Sequence, residues 1–123
     1  MRRNGNELIT MPRVADLAAG AWQEHARFPG ISMKDLLTTS DNPFANVNVI
    51  QVPPGAAVGR HRHAEQVETV WVIRGNAILT LDQTEVSLKD GQIIAIPIGL
   101  EHALRNESTT LVELLTFFTP PLA

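Results

Sequence analysis

Past residue 31 the sequence adopts a period of two. Apolar side chains recur at alternate positions in short runs, and turn residues interrupt the runs about every 8–12 residues. The runs are Ile31–Leu37, Val47–Val52, Val58–His63, Val67–Ile73, Ala77–Leu81, Glu85–Leu88, Ile93–Ile96, His102–Arg105 and Thr110–Phe118. Between them stand Asp41-Asn42-Pro43, Pro53-Pro54-Gly55, Gly75-Asn76, Asp82-Gln83, Lys89-Asp90-Gly91, Pro97-Ile98-Gly99 and Asn106-Glu107-Ser108. Many short strands with this punctuation predict an all-β, antiparallel sandwich or barrel.

The 123 residues suit one domain. The stretch before the strands reads differently. Pro12, Val14, Leu17 and Ala18 have helical spacing, and Gly20 would end that turn. Residues 1–45 are therefore expected to form a short N-terminal arm of the same domain, with residues 46–123 as the barrel core. The arm either covers a sheet edge, the weightier reading, or includes one short helix. Ten Lys and Arg against thirteen Asp and Glu leave no basic excess for nucleic acid or an anionic membrane. No apolar run approaches the ~20 residues of a spanning helix. The N-terminus lacks the apolar stretch of a signal peptide, so the cytoplasm is the expected location. Absence of Cys excludes disulfides, thiolate zinc sites and Cys nucleophiles, and absence of Tyr removes one common general acid.

Chemistry concentrates in the histidines. Of four, His25 stands apart, whereas His61, His63 and His102 fall among the strands. On a strand, His61 and His63 would face the same way. A tight turn would bring Glu68 beside them, and His102 could complete the group. Three imidazoles and a carboxylate form a donor set for one divalent transition metal: Fe, Mn, Ni, Cu or Zn. On an octahedral metal they would leave two positions open.

The spacing around these residues is more specific than the residues themselves. Gly55-AAVGR-His61-Arg-His63-AEQV-Glu68-TVWVIR-Gly75 and Gly91-QIIAI-Pro97-Ile-Gly99-LE-His102-ALR-Asn106 resemble the two motifs of the cupin superfamily, G-x5-H-x-H-x4-E-x6-G and G-x5-P-x-G-x2-H-x3-N. All ten fixed positions match. The resemblance covers residues 55–106, and the short segment 76–90 between the motifs is similar to that of small single-domain bacterial members. Phe117-Phe118-Thr119-Pro120-Pro121 resembles the usual close of the fold. The resemblance implies a double-stranded β-helix, the jelly-roll barrel, enclosing a metal on His61, His63, Glu68 and His102. Gly55, Gly75, Gly91, Gly99 and Pro97 are expected to shape turns, and Asn106 to hydrogen-bond within one.

Strand parity extends the reading. With Glu68 facing in, Val70 and Val72 face in as well, and Leu104 shares the face of His102. These make a mainly aliphatic pocket for a small ligand with a chelating oxygen pair. Parity puts Arg60 and Arg62 outside, as a solvated face rather than an anion clamp. Glu65, Gln66 and Glu101 are either mouth residues or ordinary surface, and Glu101 is the single candidate for a catalytic carboxylate. Trp71 and Ile73 would form an outward apolar patch, the expected face of a homodimer unless the arm covers it.

The superfamily holds dioxygenases, isomerases, decarboxylases, lyases, storage proteins and sensors, so the fold does not fix the reaction. A metal-dependent oxidoreductase of the dioxygenase kind is the first expectation, because no obvious general base accompanies the metal ligands. The alternatives are an O2-independent isomerase or lyase on a keto-sugar or uronate, and a non-catalytic binder of a small molecule or metal. Sugar epimerases of the group, with their His and Tyr pair, are disfavoured by the missing Tyr.

Overall fold

The computed structural model describes residues 2–3, 7–8 and 11–122. Its strands are β1 (Arg2–Arg3), β2 (Glu7–Leu8), β3 (Gln23–Glu24), β4 (Ser32–Leu37), β5 (Asn46–Val52), β6 (Ala57–His61), β7 (Val67–Arg74), β8 (Asn76–Leu81), β9 (Thr84–Lys89), β10 (Ile93–Ile96), β11 (His102–Arg105) and β12 (Val112–Thr119). The expected runs correspond to β4 through β12. A six-stranded sheet has the order β10-β7-β12-β5-β4-β3, and a four-stranded sheet the order β6-β11-β8-β9; β1 and β2 pair with each other. All pairs are antiparallel. The two larger sheets are the halves of a jelly roll.

Alternation explains the packing. Along β12, Val112, Leu114, Thr116 and Phe118 are buried and the residues between them are half-buried. Val52, Val70, Val72 and Leu114 of the larger sheet form one core with Ala77, Leu79, Leu88 and Leu104 of the smaller. Each such side chain contributes about 1.5–3 kcal/mol by leaving water.

Turn chemistry sets where the chain changes sheet. Gly55, Gly75, Gly91 and Gly99 all have positive φ, as the motif reading requires. Gly75, between β7 and β8, is doubly constrained. Its φ is 100°, and a Cβ there would lie 2.8 Å from the Leu111 carbonyl oxygen and 2.9 Å from Val112 Cα. Its N–H donates to the Asp90 carboxylate.

Within residues 1–45, β4 pairs with β5 as a strand of the six-stranded sheet, and the chain before it covers that edge. Its β3 pairs with β4 at the edge of the six-stranded sheet. Lys34 of β4 donates to the carbonyls of Leu17 (2.7 Å) and Ala19 (2.8 Å), and its ammonium lies 4.4 Å from the Trp22 ring centre. No helix occurs among the described residues, so the one expected around Pro12–Gly20 is not formed. Asp16 gives the physical reason: its carboxylate accepts the Ala18 N–H at 2.9 Å and its carbonyl the Ala19 N–H at 3.1 Å, closing a local turn in place of a helical one.

Candidate metal centre

The cluster is built where the sheets meet. β11 pairs β6 with His102 opposite His61, which brings their rings to 4.2 Å between centres. Glu68 belongs to the other sheet, flanked by Ile96 on β10 and Phe118 on β12. The pairing of β6 ends at His61, so His63 lies past the strand rather than on it, contrary to the parity argument. His63 reaches the cluster because its loop is tied down. The Gly99 N–H, in the turn that follows Pro97, donates to the His63 carbonyl at 2.8 Å. One hydrogen bond thus holds the His63 loop to the turn that delivers His102.

The four side chains converge as the spacing implies. One ligand atom from each of His61, His63, Glu68 and His102 lies within 4.8 Å of all the others. Nδ1 of His61 lies 2.8 Å from the Gly59 carbonyl and Nδ1 of His102 lies 2.9 Å from that of Leu100. An Nδ1–H donating to each carbonyl leaves Nε2 of both rings as the atom turned to the cluster.

Electrostatics point the same way. Burial opposes a charge on Glu68, but the hydrogen bond to His102 and the attraction of the adjacent His63 outweigh it and hold its pKa at about 2. For His102 burial works against the imidazolium, yet the bonds to Glu68 and Leu100 raise its pKa. Burial lowers that of His61, and the neighbouring His102 adds to the effect. The carboxylate is therefore anionic at neutral pH and His61 is held neutral, as ligation requires.

One atom is left over. His63 Nε2 is sealed from solvent and has no hydrogen bond among the described residues. It lies 3.3 Å from Glu68 Oε1, close enough for attraction but not aligned for a bond. A buried, unpartnered ring nitrogen costs about 1–3 kcal/mol, and a cation between it and Glu68 would remove that cost. The donor set and this orphan fit a divalent metal.

A cavity of about 200 Å³ opens onto the cluster. Val70 and Leu104 line it as expected, with Leu79, Ile96, Leu114 and Phe118. Val72 is packed in the core and is not part of the wall. Glu101 does not line it either; its carboxylate accepts from Arg60 and Arg62, each at 3.1 Å, on the outer side. Arg60 and Arg62 thus occupy the solvated face that parity gave them. Glu65 is exposed, and Gln66 donates to the Pro121 carbonyl at 3.3 Å.

Several wall residues escaped the sequence reading. Asn48 and Thr116 are buried polar residues of the lining, which outside the cluster also includes His25 and Arg27. They could have been found by carrying parity from Glu68 onto β12, which flanks it, and from there onto β5. Phe28 and His25 come from the arm and carry no such signal. Phe28 stands 5.4 Å from the His61 ring and packs across Gly59, where a Cβ would meet it at 3.4 Å. His25 Nδ1 accepts the N–H groups of Arg27 (3.0 Å) and Phe28 (3.3 Å), which fixes that loop over the mouth.

Fold and cluster together define a β-barrel carrying a four-residue cluster able to hold a metal. The family described as "Cupin domain" matches residues 48–118, and the chain belongs to it. An oxalate-binding protein of Thermotoga maritima is 23% identical over 107 residues, 87% of this chain and 84% of that protein. Mannose-1-phosphate guanylyltransferase of Escherichia coli is 34% identical over 73 residues; the match covers 59% of this chain but spans only 16% of that much longer protein. A solved structure described as a sugar phosphate isomerase of the cupin superfamily, from Silicibacter pomeroyi, superimposes with a TM-score of 0.76 at 28% identity, covering 88% of this chain and 75% of that one.

Proposed function

We propose that the protein holds one divalent transition metal on His61, His63, Glu68 and His102, and uses it to bind and transform a small chelating organic molecule. The observation that carries this is the sealed, unpartnered Nε2 of His63 inside a four-residue donor set that faces an apolar cavity. The metal would supply Lewis acidity and, if redox-active, a route for electrons. The chain's own part is to orient the ligands through the Gly59 and Leu100 carbonyls, to exclude water with its aliphatic wall, and to keep Glu68 ionised. Among the described residues no cavity carboxylate stands outside the cluster, which favours chemistry done at the metal and hence the dioxygenase-like oxidoreductase. The isomerase-like neighbour supports the O2-independent isomerase or lyase as second reading, and the oxalate-binding relative supports plain binding of a small chelator.

Metal analysis of protein purified without a tag or added metal, followed by O2 uptake with diketone and catechol-like substrates, separates these. Near-stoichiometric Fe, Mn, Ni or Cu with O2 uptake supports the oxidoreductase. Zn without uptake supports the second reading, and an empty site that takes up no added metal refutes both.

The same proposal places the protein in the cytoplasm as a homodimer. Trp71 (41% exposed) and Ile93 (62% exposed) stand opposite each other on β7 and β10, on the outer face of the larger sheet. A second copy packing there would cover them. Sedimentation checks it, and a clean monomer refutes it.

A further inference from the structure

Two buried asparagines make opposite use of their amides. Asn106 is 1% exposed and fully partnered: its Nδ2 donates to the carbonyls of Val52 and Thr110, and its Oδ1 accepts from the Ser108 N–H and hydroxyl. Asn48 is 5% exposed, and only half of its amide is engaged. The Thr116 hydroxyl donates to Asn48 Oδ1, which leaves Nδ2 with no partner among the described residues. Thr116 is itself 1% exposed. Both residues line the cavity, with Val70, Leu114, Ile50 and Met33 on the same sheet.

Register fixes where this amide stands. Thr116 lies on β12 between Val70 of β7 and Asn48 of β5. Glu68 is two residues before Val70, opposite Phe118. Asn48 is therefore two strands across and one inward-facing row along from the metal ligand. At ~4.8 Å per strand and ~6.8 Å per row, the backbones are about 12 Å apart, with both side chains lining the same cavity. Asn48 Nδ2 is not sealed like His63 Nε2; it opens on the cavity, so a donor that Thr116 leaves unused there is free to meet an acceptor carried by whatever fills the cavity.

We propose that Asn48, oriented by Thr116, is a specificity-determining residue that donates to a neutral acceptor oxygen at the far end of the ligand. The ligand class is then a short molecule with a chelating oxygen pair at one end and a carbonyl, amide or hydroxyl oxygen at the other, joined by an apolar link. This rests on the metal reading above and deepens it. A purely hydrocarbon tail would leave the amide without a partner, and a carboxylate tail would be drawn instead to Arg27, the cation in the cavity lining.

The test uses hydroxamates, which chelate a metal through two oxygens, on the Co(II)-loaded protein. Co(II) absorption is read first; if the wild type shows none, the metal reading itself fails, before any probe is added. Calorimetry then compares acetohydroxamate (head only), isocaprohydroxamate (branched apolar tail) and the isosteric hydroxamate of succinamic acid (tail ending in a carboxamide). The wild type should prefer the carboxamide probe over its apolar isostere. Asn48→Leu should shift that preference by about tenfold or more toward the apolar probe, with acetohydroxamate affinity unchanged. Asn48→Asp keeps the shape and the Thr116 bond but removes the donors, and should lose the preference too. Thr116→Val should lose part of it. An unaltered preference in Asn48→Leu and Asn48→Asp, or an equal weakening of all three probes, overturns the assignment while the Co(II) signal keeps the metal reading intact.

Discussion

Replacing Asn106 by Ala should cost about 4 kcal/mol of stability. The side chain makes four hydrogen bonds, to Val52, Thr110 and twice to Ser108, each worth about 1 kcal/mol net. Its backbone is engaged as well: its carbonyl accepts from Gly55 and its N–H donates to Ala56. Asn106 thus ties the end of β5 to the loops on either side of the cupin motifs. Against a whole-domain stability of ~5–15 kcal/mol, this loss would lower the melting temperature by roughly 15 °C. Urea unfolding followed by the fluorescence of Trp22 and Trp71 measures it, with an unchanged m-value as the check on two-state behaviour. Asn106→Asp keeps the acceptor but sets a carboxylate oxygen against the Val52 and Thr110 carbonyls at a buried position, so a loss at least as large is expected at neutral pH. A change below about 1 kcal/mol in Asn106→Ala would refute the reasoning.

Replacing His63 by Ala should cut metal content sharply, yet leave the metal-free protein at least as resistant to heat, since the orphaned Nε2 is gone; a destabilised metal-free variant with normal metal content would contradict this. In the metal-free protein, NMR titration should place His102 above the ordinary 6.5 and His61 below it. By linkage, the His102 contribution to stability is lost as pH rises through its raised value, that of His61 as pH falls below 6.5, and that of Glu68 as pH falls from 4.5 toward about 2. Because protons compete first at His102, metal occupancy should start to fall while the pH is still above 6.5, and a flat profile from pH 8 to 5 would count against the assignment. Gly75→Ala should destabilise by more than about 1 kcal/mol, because φ is positive and the new methyl meets backbone; a near-neutral change in denaturation would show that β7 and β8 can shift apart.

The parts of the molecule legible in the sequence are those with a local signature. Period-two alternation marked β4 through β12, and the turn glycines marked where the chain reverses. The four cluster residues were legible because their spacing is rigid. Three features were not. The turn at Asp16 looks helical by spacing, and only a side chain competing for backbone N–H groups reveals otherwise. Val72 shares the parity of Val70, but parity gives a face, not a depth; one row farther from Glu68 the cavity has closed and the valine is core. The cover over the mouth, Phe28 and His25, comes from an arm whose position is set by Lys34 reaching back to Leu17 and Ala19, a long-range contact with no trace in local pattern.

The place of β12 bears on the order of assembly. It follows the other strands in the chain, yet it lies in the middle of the six-stranded sheet, between β7 and β5. Until it arrives, β5 and β7 each present an unpaired edge, the kind of surface on which partly made chains stick to one another. A ribosome-bound chain lacking β12 has Glu68 without its neighbour Phe118 and Asn48 without Thr116. The metal capture and ligand recognition proposed above would therefore become possible only once synthesis has passed Thr119, because the site waits on this non-local pairing.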